Sequence, residues 1–155
     1  MSFRIQGLDP RPFQTLYGLA DAELARHGAR RYRADAAPGF PDRVELREAK
    51  PGETVLLLQF VHQTAATPYH ASHAIFVREG AAEPFDEVGE VPEVLRPRML
   101  SLRAFDGEHM MVDADLVDGQ EVERLIERLL ANARVAYVHA HFAKRGCYAC
   151  RIERA

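Results

Sequence analysis

The end of the chain constrains the fold more tightly than any other stretch. Two strand-like segments, residues 135–143 and 147–153, are separated only by Lys144-Arg145-Gly146. So short a link joins neighbouring antiparallel strands and cannot carry a parallel crossover. Side chains of a strand alternate between faces. Val135, Tyr137, His139, His141 and Ala143 therefore share one face, and Ala136, Val138, Ala140 and Phe142 share the other. The second set is wholly apolar and is expected on the core. His139 and His141 then stand one rung apart on the opposite face.

The loop decides which cysteine joins them. With a three-residue loop and Gly146 in the left-handed conformation, Ala143 opposes Cys147, and Cys147 falls on the histidine face. With a two-residue loop, Lys144 opposes Cys147 and His141 opposes Cys150. Arginine disfavours the positive φ of a two-residue primed turn, so the three-residue register is expected.

The same pattern of consecutive short strands runs along the rest of the chain. Residues 3–8, 29–35, 43–47, 55–62, 72–78, 99–105 and 110–117 read as strands. The arginine-rich segment 29–35 suits a sheet edge, and the nearly continuous apolar run 55–62 suits a sheet centre. Asp9-Pro10 opens one short helix, Asp21 opens a second that stops at Gly28, and Pro92 opens a third. Val122, Leu125, Ile126, Leu129 and Leu130 form the strongest amphipathic stripe, preceded by Asp118 and Glu121 in capping-box spacing. Residues 38–41, 64–71 and 81–90 read as loops. Strands that follow one another with few helices between them predict an α+β fold. The expectation is one domain over residues 1–155, a mainly antiparallel sheet of about six to eight strands, and three or four short helices.

Composition narrows the function classes. Of 155 residues, 20 are Lys or Arg and 23 are Asp or Glu, a net charge of −3, which excludes a strongly basic nucleic-acid binder. The longest apolar run, Val55-Leu56-Leu57-Leu58, is far too short to cross a membrane. No leader pattern opens the chain, and its two cysteines, Cys147 and Cys150, are too few for a disulfide framework, so a cytoplasmic location is expected. Glycine-rich phosphate loops, the nucleophile elbow and the zincin motif are absent. The run Asp113-Ala114-Asp115-Leu116-Val117-Asp118-Gly119 fails calcium-loop spacing: its fifth position is valine and its glycine comes one residue late.

The chemistry that remains sits on the terminal hairpin. Cys147 beside His139 or His141 is a candidate thiolate–imidazolium nucleophile. The same three residues are candidate ligands of zinc or another borderline metal, with His62 or His73 as a fourth. An inert cysteine on a partly exposed face is the third alternative. A Cys-x-x-Cys pair within a strand points its sulfurs to opposite faces, which argues against a disulfide. Tyr69 and His73 lie where a loop enters a strand, the usual place for a site. His62 is expected at the same end of the sheet. Arg78 and Arg103 interrupt apolar strands, so each either pairs with a carboxylate or holds an anionic ligand.

The chain resembles a family of uncharacterised bacterial proteins known only as a domain of unknown function. The resemblance rests on Ser72-His73-Ala74-Ile75-Phe76-Val77-Arg78, Gly89-Glu90-Val91-Pro92, Leu100-Ser101-Leu102-Arg103-Ala104-Phe105 and Met110-Met111-Val112-Asp113-Ala114-Asp115. It extends to Tyr137-Val138-His139-Ala140-His141 and Gly146-Cys147-Tyr148, and covers nearly the whole chain. It implies no activity, but it singles out Cys147 over Cys150. The functional expectation is a small-molecule-binding or enzymatic domain, with Cys147, His141 and His139 as catalytic candidates and His73, Arg78, Arg103 and Tyr69 as ligand-binding candidates. The alternatives are a non-catalytic module that binds a partner or homodimerises, and a His/Cys metal-binding protein.

Overall fold

The structure, a computed structural model, describes residues 2–155. In chain order its elements are β1 (Phe3–Gln6), α1 (Arg11–Gln14), α2 (Asp21–Arg26), β2 (Arg30–Arg33), β3 (Thr54–Gln63), β4 (Ala71–Arg78) and β5 (Asp86–Val88). They continue with β6 (Met99–Phe105), β7 (Met111–Asp118), α3 (Val122–Leu130), β8 (Tyr137–Phe142) and β9 (Tyr148–Arg154). The strands form two antiparallel sheets, one of six strands in the order β5-β1-β9-β8-β6-β7 and one of three in the order β2-β3-β4. The α+β class and the antiparallel pairing are as expected. The division into two sheets was not anticipated.

Burial explains the layering. On one face of the six-stranded sheet, Leu100, Leu102, Ala104, Val138, Ala140 and Phe142 join Val122, Leu125, Ile126, Leu129 and Leu130 of α3 in one continuous core. Each fully buried aliphatic side chain there contributes roughly 1.5–3 kcal/mol. On the other face, Tyr137, His139 and Tyr148 lie against β3 of the smaller sheet, where Phe60 packs on Tyr148 and Gln63 bonds the Tyr137 hydroxyl. Among the described residues, no helix is long and apolar enough to cross a membrane.

Two local expectations are corrected. Residues 43–47 form no strand. The Asp42 carboxylate accepts the amides of Glu45 (2.6 Å) and Arg78 (2.7 Å), and Leu46 takes a positive φ of 53°. The chain therefore curls, and Arg43, Val44 and Leu46 are buried in it. Conversely, the acidic segment 81–90 contains strand β5, held to the sheet edge by backbone pairing and by a two-pronged Arg4–Asp86 ion pair. Ahead of α3, Asp118 does accept an amide, that of Gln120 (2.9 Å). Asp113 and Asp115, the apparent calcium ligands, pair instead with Arg128.

One close approach fixes the entry to α3. A β-carbon on Gly119 would fall on the Leu95 carbonyl and crowd that of Arg98, whereas one on Gly107 would meet nothing. Both obstacles are backbone and cannot rotate away. Gly119→Ala is expected to lower stability by about 2 kcal/mol or more, against less than about 0.5 kcal/mol for Gly107→Ala. Urea midpoints of the two variants test this; equal midpoints would refute the close contact.

Candidate functional site

The site forms where β3 meets the middle of the six-stranded sheet, and two bulges build it. In β3, Val61 pairs with Ser72 and Gln63 with Ala71, so His62 is an extra residue. The slip lets two consecutive side chains, His62 and Gln63, reach toward the larger sheet, a re-aiming that bulges commonly achieve. In the terminal hairpin, His139 opposes Arg151 and Ala140 opposes Cys150, but His141 opposes Tyr148. Ala149 is the extra residue.

That second bulge corrects the central expectation about Cys147. The inner rungs keep the three-residue register, and Gly146 is left-handed with φ 82°. Beyond Ala149 the register slips by one, and Cys147 meets Phe142, whose amide donates to the Cys147 carbonyl (2.9 Å). A slip of one residue exchanges faces. Cys147 therefore turns to the apolar side, and Tyr148 takes the place opposite His141. Cys147 is thus separated from His139 and His141, both as thiol partner and as metal co-ligand. Cys150 joins the same apolar core as Cys147, so the two sulfurs do not take opposite faces. Both cysteines are free, and burial pushes the Cys150 thiol up to about 12.

The imidazoles do converge. One ring nitrogen from each of His62, His139 and His141 lies within 4.8 Å of the others. The His62 ring stacks on Tyr148 at 5.6 Å and meets His141 edge-on at 4.8 Å. Phe105 and Tyr137 close the other side of His139. His141 donates its Nδ1–H to the Gly146 carbonyl (3.0 Å), which fixes its tautomer and leaves Nε2 with a free lone pair. Nδ1 of His62 and Nδ1 of His139 are buried with no hydrogen-bond partner among the described residues. Each such orphan costs roughly 1–3 kcal/mol.

All three imidazoles are held neutral. Burial is the main cause in each, and the positive field of neighbouring groups, Arg103 among them, adds to it. His62 is lowered to about 4, and His139 and His141 to about 3.

A cavity of about 250 Å³ opens beside the cluster. His62, His141, Tyr69, His70 and Arg103 line it. Tyr69 and Arg103 were both expected at a ligand site. Arg103 bonds only the Ser101 hydroxyl (3.3 Å) and has no carboxylate partner among the described residues. Arg78, by contrast, is occupied by Glu45 through two bonds of 2.9–3.0 Å, a partner not foreseen from sequence. His73 faces Phe60 across the β3–β4 pair and donates Nδ1–H to the Ala74 carbonyl. It stays outside the cluster. Gln63 and Tyr148 were missed altogether, because only the bulges bring them here.

The architecture is thus an antiparallel α+β protein with three neutral imidazoles between its sheets, His139 and His141 buried and His62 half-buried. The chain belongs to the family described as protein of unknown function, DUF1203, which matches residues 39–154. That span contains all three histidines and Arg103. No curated protein and no solved structure matches the chain.

The depressed imidazoles set an acid limit on the metal-free fold. A base whose folded pKa lies below its unfolded value near 6.5 leaves stability intact above 6.5 and removes it as pH falls. The window runs from about 6.5 down toward 4. Glu53 and Glu79, held to about 2 by Arg47 and Arg31, lose their contribution only below the ordinary carboxylate range. Asp42, raised by burial, works the other way and makes the fall shallower. With a chelator present, unfolding free energy is expected to drop by roughly 2–4 kcal/mol per pH unit between pH 6 and 4.5. His139→Phe is expected to flatten that slope. Denaturant titrations across the range check both, and a flat profile down to pH 4.5 would contradict the burial of neutral rings.

Proposed function

We propose that the protein binds a divalent transition metal of the zinc class through His62, His139 and His141, and presents it to an anionic small molecule in the adjoining cavity. The observation that carries this reading is the convergence of three neutral ring nitrogens, with two imidazoles left short of hydrogen-bond partners. Neutral imidazole is the form that ligates, and three histidines leave a fourth position open, the pattern of catalytic rather than structural zinc sites. A tetrahedral ion holds its nitrogens about 3.3 Å apart, so the cluster contracts by at most about 1.5 Å at its widest separation. The His141–Gly146 bond is the outer-shell support that orients a ligating ring.

Arg103 supports the second half of the reading. A half-buried guanidinium without a carboxylate, on the wall of the same cavity, suits a carboxylate or phosphate. An ion with an open position there supplies Lewis-acid activation. Tyr69 and His70 complete a polar rim around the opening.

Titration of chelator-treated protein with Zn²⁺ is expected to show one equivalent bound and a raised thermal midpoint. Co²⁺ is expected to give the intense visible bands of a four-coordinate site. Alanine at His62, His139 or His141 is expected to weaken binding by at least about 100-fold, and His73→Ala by less than about threefold. Phenylalanine at His139 keeps the ring volume and guards against a folding artefact. Stoichiometric tight binding that survives loss of His139 or His141 would overturn the assignment, as would no binding at all.

A further inference from the structure

On the opposite side of the terminal hairpin, Cys147, 7% exposed, is among the residues lining a second cavity of about 310 Å³, within the range of small-ligand sites. Its floor is Arg43, only 1% exposed. Arg43 donates to the carbonyls of Pro41 (2.5 Å) and Tyr148 (2.8 Å) and, through Nη2, to the Cys147 sulfur at 3.1 Å. It has no carboxylate partner among the described residues. Arg98 lies over the same Phe142 ring as Arg43, each 4.9 Å from its centroid, and is neutralised by Glu48. Lys144 and Arg145 stand exposed on the rim and form no ion pair among the described residues.

Four cations and one carboxylate thus surround one thiol. Buried Asp42, next in the chain, offsets part of the Arg43 charge without bonding it, and an anionic ligand in the cavity would offset more. The Arg43 N–H directed at the sulfur holds the thiol in place beside the cavity. The positive rim concentrates anions at the opening.

We propose that this cavity admits a low-molecular-weight disulfide carrying carboxylates, and that Cys147 exchanges with it to form a mixed disulfide. The Cys147 proton leaves to solvent, its sulfur attacks one sulfur of the disulfide, and the S–S bond breaks. The other half departs as a thiolate with the electron pair, so no further oxidant is needed. Cys150, fully buried in the core, takes no part. This site is independent of the imidazole cluster.

The test uses the full chain at neutral pH with two probes. One is the dicarboxylated nitrophenyl disulfide used for thiol counting, and the other is the neutral dipyridyl disulfide. Native protein is expected to release one equivalent of aryl thiolate from the dicarboxylated probe, with the adduct on Cys147. Cys150 is expected to react only after denaturation. Cys147→Ser abolishes the native reaction. Lys144→Ala combined with Arg145→Ala, both exposed changes, is expected to slow the dicarboxylated probe at least about fivefold and the neutral one less than about twofold. No release by native protein, an adduct on Cys150, or equal effects on the two probes would each overturn the proposal.

Discussion

Burial of β8 on both faces is the constraint on which the rest depends. All six of its residues are buried. One face packs into the aliphatic core beneath α3, while the other meets β3 of the smaller sheet. A strand in that position has no wet side to receive polar groups. Histidines placed there must stay neutral, because protonation in a buried site also carrying Arg103 is unfavourable. Neutral imidazoles retain lone pairs, and lone pairs that converge without hydrogen-bond donors invite a Lewis acid. The packing of two sheets therefore determines the protonation state, and the protonation state determines the chemistry.

Bulges then decide which groups meet. One lies at His62, one at Ala149, and a third interrupts the pairing between Ala104 and Phe105. The three surround the same volume. The first points His62 and Gln63 toward β8. The second brings Tyr148 onto the His62 ring and sends Cys147 away. The third accompanies Phe105, which stacks on Tyr137 and packs against His139. Ladder regularity is given up where side chains have to be aimed.

This accounts for what could be read from the residues and what could not. Alternation placed His139 and His141 on one face because both lie in a regular run. It placed the apolar partners on the core for the same reason. The amphipathic stripe of α3 was legible because five apolar residues at helical spacing admit one arrangement. Alternation failed at Cys147, since one inserted residue, Ala149, reverses every position between it and the turn. It failed also at residues 43–47. That segment alternates like a strand, but the Asp42 carboxylate takes the amides that a neighbouring strand would have used. Arg43 was consequently invisible as a site residue. The short β5 was missed because its residues carry no strand signal of their own; backbone pairing with β1 and the Arg4–Asp86 ion pair hold it. Arg78 and Arg103 looked alike in sequence. Only the curl of residues 43–47 brings Glu45 to Arg78, and no carboxylate among the described residues reaches Arg103.

That difference between the two arginines bears on how the proposed metal site would operate. Arg103 sits directly opposite His139 in the β6–β8 pair. A divalent ion on the imidazoles would share a partly buried volume with an uncompensated guanidinium, and two cations at such range repel appreciably. An anion in the cavity relieves the repulsion, because it ligates the open position and pairs with Arg103 at once. Metal and anion are then thermodynamically linked: each raises the affinity of the other by the same factor. In the proposed site this arginine would weaken the metal-only state and strengthen the doubly filled one, so selectivity for an anionic ligand would arise from a charge left without a carboxylate partner among the described residues.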